Sequence, residues 1–584
     1  MLPESAIPKS SILEQLERIL ASGAFAQSER MCRFLRLVVE YSLENRGVEL
    51  KEYLIGLRVF DRKSSFDPRV DPIVRVEARR LRSKLQQFYE RDGSEDDIRI
   101  ELPKGNYAAQ FSRREAEAPE IPARPGEAAI AVIPFANLTP EEENDYFSDG
   151  LTQELILGLT RVPGLRVVAW TSAAQLRGEH DFQAIGKRLN VGAVLTGSVR
   201  KAGNRVRVTA QLIDTANSSY LWSEAYDREL RNLLQIQDEI SRAIVATLRI
   251  RLADRLPFPA IRRAAWNFEA HNLYLKGRFE WNQRTPERLR GSVGLFQQSI
   301  ELEPEFALGW AGLADAYTLL ADYGVTSSEE SMPKAKHAAL RALELEPSLG
   351  EAWASLALVL GLYEWDRDEA EECYLKGISL NPGYSTVHHW YSVDHLVVLG
   401  RFDEAEAEIR RSRMLDPWST IIIEGDAFIQ MLRGRYDEAI RLYGEALAID
   451  PKFYKSWTST GRALIQKGQY EEGIRMLEKG RALVGDVPNI LGALGQAHAL
   501  NGNADKAREI LQELRSPSRE GIVPFTCMAI VHLGLGETDQ ALDALERACE
   551  RRETPLNGLK VHPVYDGLRG HPRFEALLRR VRLA

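Results

Sequence analysis

Arg75, Arg79 and Arg82 recur at steps of four and three in this 584-residue chain, with Arg80 and Lys84 on the shoulder of the same face. In the same segment Val74, Ala78, Leu81, Leu85 and Phe88 step by four, three, four and three. Together the two periodicities predict one helix over 74–89 with a buried stripe and a cationic face. Asp71-Pro72 supplies its start signal. A guanidinium on such a face can donate two parallel hydrogen bonds to a guanine edge while its neighbours hold phosphates. The helix therefore suits the major groove of double-stranded DNA. Arg75, Arg79, Arg80 and Arg82 are the candidate base and phosphate contacts, with Lys84 and Lys104 as backbone anchors. The competing explanation is a solvated arginine face, so the elements around the helix must decide.

Residues 98–102 alternate like a strand, Pro103-Lys104-Gly105-Asn106 makes a turn, and 107–111 return. Helix followed by hairpin is the order of a winged helix-turn-helix, and further helices are expected over 11–20 and 28–45. The strings RRLRSKL (79–85) and IRIELPKGNYAAQF (98–111) resemble the OmpR-type winged-helix effector domain of bacterial regulators. That resemblance implies that the arginine-rich helix is the recognition helix and the hairpin the wing. Two positions depart from the family pattern: Asn106-Tyr107 stands where Gly-Tyr is usual, and Arg75 where an acidic residue is common. No N-terminal sheet of the family's kind is evident. A winged helix that binds protein is the alternative on the same fold.

Charge is distributed to match. The whole chain carries 76 basic and 84 acidic residues, a net charge of -8, which argues against nucleic-acid binding if spread evenly. Residues 1–114 hold 21 basic and 18 acidic groups, a balance of +3 that leaves -11 for the remainder. The argument against nucleic acid therefore applies only beyond the first segment.

The last half of the chain repeats itself. Pro304, Pro347, Pro382, Pro417 and Pro451 each close a helical stretch, at separations of 43, 35, 35 and 34 residues. Ala370, Ala405, Ala439, Gly473, Ala507 and Ala541 follow at spacings of 35, 34, 34, 34 and 34, several preceded by a glycine turn. Small residues in phase imply paired helices in close approach. Trp310, Leu313, Ala314 and Tyr317, with Trp457 and Gly461, give this segment its resemblance to the tetratricopeptide repeat. About eight repeats are expected over 267–555, the second stretched near 325–332, with a cap over 556–584. The tryptophans are expected to pack in the core, and the groove of the array to bind a protein or peptide.

Between the two lies an alternating segment. Strands are expected at 129–135 and 165–170, helices at 146–162 and 181–189, a hairpin over 194–213 around Lys201-Ala202-Gly203-Asn204, and a long helix over 230–252. AIAVIPFANL, DYFSDGLTQELILGL and VLTGSVRKAGNRVRVTAQLID resemble the α/β domain of TolB-type proteins and of CadC-type sensor regions. CadC-type regulators place a membrane helix before that domain; here a proline-rich linker occupies the place.

The expected fold is thus multidomain and mostly α: a winged helix-turn-helix (1–111), a linker (112–127), a small α/β domain (128–256), an α-solenoid of tetratricopeptide repeats (257–555) and a cap (556–584). No catalytic motif stands out, and no cofactor or metal is expected. His388, His389 and His395 share one repeat, where packing is the readier explanation. Four dispersed cysteines form no disulfide or zinc framework. Apolar runs fall short of the ~18 residues a spanning helix needs, and no signal peptide is evident, so a cytoplasmic protein with no membrane association is expected. These features point to a one-component DNA-binding transcriptional regulator, with homodimerisation following from paired half-sites. The alternative is an interaction scaffold that does not bind DNA.

Overall fold

The computed structural model describes residues 9–113, 128–229, 267–515 and 523–584, apart from 24, 26–27, 45, 64–65, 69–70, 90–91, 94–95, 97, 104–106, 140–144, 163 and 203–204, and within 230–266 only 236, 239–244 and 247. The linker from 114 onward and the break at 256–259 lie outside these residues. The chain divides into two compact units, Met1–Ile121 and Pro122–Ala584.

The first unit contains α1 (Lys9–Ala21), α2 (Glu29–Leu43), α3 (Glu52–Val59), α4 (Ile73–Tyr89) and the antiparallel strands β1 (Ile98–Glu101) and β2 (Gln110–Arg113). Its core gathers Leu16 and Ile19 from α1, Phe34, Leu35 and Val38 from α2, Ile55 from α3, and the predicted α4 stripe. Val74, Ala78, Leu81, Leu85 and Phe88 are all buried, as their spacing requires. Ile100 and Leu102 bring the hairpin onto the same core. Because Ile98 pairs with Arg113, the ordered hairpin runs past the expected boundary at 111.

The second unit begins with an α/β domain: β3 (Ala128–Val132), β4 (Ala136–Asn137), α5 (Asp145–Thr160), β5 (Leu165–Val167), α6 (Trp170–Ala173), α7 (Phe182–Leu189), β6 (Ala193–Ala202), β7 (Arg205–Asp214) and β8 (Tyr220–Glu229). The sheet order is β5-β3-β6-β7-β8, parallel where β3 meets β5 and β6 and antiparallel from β6 onward, with β4 also paired to β6. Ala202 pairs with Arg205, and Gly203 and Asn204 of the expected hairpin turn lie outside the described residues. On one face Val132, Leu155, Leu195 and Val208 pack with Ile236, Ile240 and Ile244, which step by four; most of the rest of the long helix expected over 230–252 lies outside the described residues. The other face packs Ile133, Val168 and Val194 against Ile185 and Leu189 of α7. The strand expected at 165–170 stops at Val167, and Trp170 opens α6 instead.

Eight helix pairs follow among the described residues, over 268–302, 307–345, 350–380, 385–415, 420–449, 454–484, 488–514 and 525–550. Gly400, Gly434, Gly468, Gly502 and Gly536 all have φ between 72° and 83°, the left-handed conformation that a tight helix-to-helix turn needs. The small in-phase residues are buried between paired helices. A Cβ added at Gly461 would lie 2.9 Å from the Gly473 carbonyl and 2.6 Å from Leu477 Cγ. Trp310 and Trp353 pack against the core, as expected, without being wholly enclosed by it. Trp310, Trp353 and Trp457 are only partly buried, and their indole N–H groups donate to the carbonyls of Pro304, Pro347 and Pro451 at 2.9, 2.9 and 3.0 Å. At these three positions the indole fastens the inter-repeat turn to the first turn of the next helix.

The cap helix Pro572–Arg580 covers the eighth repeat with Phe574 and Leu577. The end of the array also returns to repeats 3 and 4. Trp365 and Val398 share a core with Leu556, Leu559 and Leu568. Arg367 donates to the Gly361 carbonyl at 2.5 Å and to Asn557 Oδ1, while Asn557 Nδ2 donates to the Leu362 carbonyl at 3.1 Å. The superhelix therefore closes on itself between repeat 3 and the cap.

The α/β domain is docked on repeats 4 and 5. The Ala169 N–H donates to the Leu415 carbonyl at 2.9 Å, and Ser172 donates from both N and Oγ to Asp416 Oδ1 at 3.1 and 2.5 Å. The Arg188 guanidinium lies 4.6 Å from the Trp418 ring centre. Burial pushes the Asp416 carboxyl up to about 6, and the Ser172 bonds offset only part of that shift.

Candidate nucleic-acid interface

In the first unit α4 turns Arg75, Val76, Arg79, Arg80 and Ser83 to solvent, opposite its buried stripe. Val76 is 45% exposed, an apolar side chain among cations. The neighbouring elements fix how α4 is presented. Glu52, in the first turn of α3, accepts from Arg75 Nε at 3.1 Å and from the Tyr107 hydroxyl at 3.1 Å. One carboxylate thus ties α3, α4 and the returning arm of the hairpin together. Burial and that carboxylate push the Tyr107 phenol up to about 12, so it remains a donor throughout the physiological range. Arg75 Nη2 also donates to the Pro68 carbonyl at 2.6 Å.

The cationic residues predicted from spacing divide into distinct environments. Arg79 has no hydrogen-bond or ion-pair partner for its guanidinium among the described residues, and it projects into solvent. Arg80 leans on Glu77 at 2.7 Å across one helical turn, an exposed pair of small energetic weight. Arg82 is half-buried and directed at the hairpin: Nε donates to the Leu102 carbonyl at 2.7 Å and Nη2 to the Pro103 carbonyl at 2.8 Å. Lys84 is half-buried too, with its ammonium 5.6 Å from the Phe25 ring centre. Lys104 lies outside the described residues. The structure therefore brings Arg75, Arg79 and Arg80 together on one open face and sets Arg82 and Lys84 against the body of the unit.

Sequence reasoning missed Val76 and the Glu52–Tyr107 brace. Val76 was detectable, since it falls outside the buried stripe yet in step with Arg79, Arg80 and Ser83. Glu52 and Tyr107 are 55 residues apart and carried no pairing signal.

Of the three histidines of repeat 4, His388 contacts Glu408 at 2.6 Å and the Pro382 carbonyl at 3.1 Å, and His395 is buried beside Glu371 at 3.6 Å. No cluster of three metal-binding side chains occurs among the described residues. No helix among them is long and apolar enough to cross a membrane.

Set beside known proteins, this architecture falls in the class of regulator domain followed by a helical repeat array. Residues 126–243, which include the described α/β domain, match the second domain of HilA/YgeH-like transcriptional regulators. Residues 430–490, 464–520 and 525–547 match the tetratricopeptide repeat. The chain is 33% identical over 257 residues to "Putative adenylate cyclase 3" of Rhizobium meliloti (strain 1021), a match that covers 43% of each chain. It is 21% identical over 409 residues to "Transcriptional regulator HilA" of Salmonella typhimurium, covering 68% of this chain and 64% of that one. The chain thus spans less than two thirds of the length of either relative. Among solved structures, the human IFIT1 dimer with m7Gppp-AAAA is 16% identical over 53% of this chain and 77% of its own, with a TM-score of 0.36. The chain carries a HilA-like transcriptional regulator domain and tetratricopeptide repeats.

Proposed function

We propose that this protein is a cytoplasmic one-component transcriptional regulator that binds double-stranded DNA through α4. The observation that carries the reading is the open α4 face, with Arg79 unengaged beside Arg75, Arg80 and Val76. It lies in the same chain as a HilA-like regulator domain. On this reading the first unit is a winged helix-turn-helix of the OmpR type, α4 its recognition helix and β1–β2 its wing. Arg79 and Arg80 contact bases or phosphates, Val76 meets a thymine methyl, and Lys104 at the wing holds the backbone. Arg75 contributes charge while positioning α4. Arg82 sets the wing against α4, and Lys84 screens the opposite shoulder.

On this reading the winged-helix unit is followed by a linker that starts after β2, whose last residue is Arg113, then by the α/β domain, the repeat array and the cap. The TolB/CadC-like α/β domain relays a signal between the repeat array and the DNA-binding unit. The array offers its surface to a protein or peptide, and two copies bind paired half-sites. The test is selection of fragments from a sheared genomic library by the full chain and by an Arg79→Ala/Arg80→Ala variant. The regulator reading expects enrichment of a discrete set of sequences by the parent alone. Equal recovery of random fragments by both proteins would favour a scaffold that engages protein partners only.

A further inference from the structure

The interior of the closed repeat array holds charges for which DNA binding has no use. Two adjoining cavities of about 410 and about 310 Å³ occupy it, and Arg284, His389 and Ile421 line both. The larger lies where the α/β domain meets repeats 1, 4 and 5, a junction typical of small-molecule sites.

At the end of the larger cavity the Trp281 indole carries two guanidinium groups, Arg284 with Cζ 3.6 Å and Arg278 with Cζ 4.3 Å from the ring centre. Arg278 is matched by Asp315 at 2.8 Å. Arg284 has neither an ion-pair nor a hydrogen-bond partner among the described residues, and burial lowers its pKa. Trp281 Nε1 is buried without an acceptor. Arg284 also has φ of 55°, so the backbone is held in an uncommon conformation where the guanidinium enters the cavity. This end has one cation in excess and donors in want of acceptors.

The neighbouring cavity, which Arg284 also borders, sets two carboxylates against one lysine. Asp322 and Asp394 face Lys455, whose ammonium rests 3.6 Å from the Tyr323 ring centre, and none of the three makes an ion pair within contact distance among the described residues. Burial raises both carboxyls, and the charge of Asp322 raises Asp394 further. The remaining charged pair here is engaged elsewhere: Glu424 accepts from Ser459 at 2.8 Å, and Arg462 donates to the Asn489 carbonyl at 3.1 Å. Asp394 sits in a π-helical turn, Tyr391–Leu396, the kind of helix irregularity that recurs at functional sites. Between the two ends His389 is 8% exposed and has no hydrogen-bond partner among the described residues. Burial holds its pKa down at about 3, so the neutral ring offers one donor and one acceptor.

Arg284, Asp322, Asp394 and Lys455 are half-buried along the lumen, and charges partly withdrawn from water gain from an occupant that pairs them. We propose that the lumen binds a small zwitterion, a free α-amino acid or a dipeptide, with its carboxylate on Arg284 and its ammonium between Asp322 and Asp394. The occupant bridges the α/β domain and the repeats, which places an input signal at their junction. This inference does not depend on DNA binding, and its test reads neither DNA nor protein partners.

The experiment is thermal melting and titration calorimetry of the full chain with each of the twenty proteinogenic amino acids and with pooled dipeptides, on the order of 10 mM. Every hit is repeated with its carboxylate-only and amine-only analogues. At least one zwitterion is expected to raise Tm by about 2 °C or more, and both analogues to fail. Arg284→Gln and Asp322→Asn are expected to abolish the shift while melting at or above the temperature of the unliganded parent, since each removes an unpaired charge. If no member of the panel shifts the melt, the two excess charges neutralise each other across the lumen and the proposal is overturned. It is equally overturned if a carboxylate or an amine alone binds as well, or if both variants retain the shift. Should a variant fail to fold, the comparison of zwitterion and analogues on the parent protein decides alone.

Discussion

Replacing Arg79 and Arg82 separately by alanine should produce opposite phenotypes, although both lie in one arginine-rich string. Arg79 is engaged by nothing in the free protein among the described residues, so Arg79→Ala removes no internal bond and should move the melting temperature by less than about 1 °C. Its whole effect should fall on DNA: about 1–3 kcal/mol of affinity, a loss of roughly 5- to 150-fold, if it contacts a base. Arg82 makes two charge-assisted bonds, at 2.7 and 2.8 Å, to successive carbonyls at the start of the hairpin. Arg82→Ala strands those half-buried carbonyls and should destabilise the first unit by about 1–3 kcal/mol. Its DNA affinity should fall only as far as the wing is displaced. Arg82→Lys should not rescue, because one ammonium cannot reproduce the planar fork. The assay pairs chemical denaturation of the full chain, monitored by hydrogen exchange of 98–113, with fluorescence anisotropy on a selected duplex. If Arg79→Ala destabilises the hairpin while Arg82→Ala leaves it intact and weakens DNA binding, the assignment of roles on α4 is wrong.

Other consequences can be checked singly. Glu52→Gln keeps an acceptor for Tyr107 but weakens the tie to Arg75, so hydrogen exchange in the first turn of α4 should quicken at unchanged global stability. Asp416 has its folded pKa raised to about 6 from 3.8, so the folded state favours the protonated form. Its contribution is best below pH ~4 and is lost as pH rises through ~6, a penalty of about 3 kcal/mol at pH 7. Asp416→Asn should therefore melt no lower than the parent at pH 7, and the stability difference between the two should vanish as pH falls to 4. A difference that stays constant with pH would refute the assignment. Asn557→Leu breaks the closure between repeat 3 and the cap, leaves Arg367 without one partner, and should cost about 2–4 kcal/mol with faster proteolysis of residues after 555. Gly461→Ala forces a Cβ to within 2.6 Å of Leu477 and should cost about 1–3 kcal/mol.

What the sequence disclosed, and what it withheld, follows from the range of the interactions. The α4 stripe was legible because burial of one helix face imposes a local period, and the repeat pairs because turn glycines and small residues recur every 34 or 35 positions. β8 was not foreseen. Tyr220–Glu229 is an edge strand with Tyr226 alone fully buried, so it shows no apolar alternation. The helical period placed Arg82 with its neighbours but could not say whether a guanidinium at that angle meets solvent or the hairpin, which folds back from twenty residues away. Closure of the superhelix depends on small rotations accumulated over several repeats, so no local pattern announced that Arg367 would meet Asn557. For the same reason no local pattern marks Asp322, Asp394 and Lys455, from three different repeats, as neighbours in one cavity.

The central claim is that α4 engages DNA through its open cationic face, and the salt dependence of binding tests it most directly. Full-length protein titrated onto a selected duplex between about 50 and 200 mM salt should lose affinity with a logarithmic slope near −2 or steeper, from Arg79, Arg80 and Lys104 together. The slope should flatten by about 0.9 for each phosphate contact removed in Arg79→Ala and Arg80→Ala. A slope near zero, or one that neither substitution changes, would contradict the account.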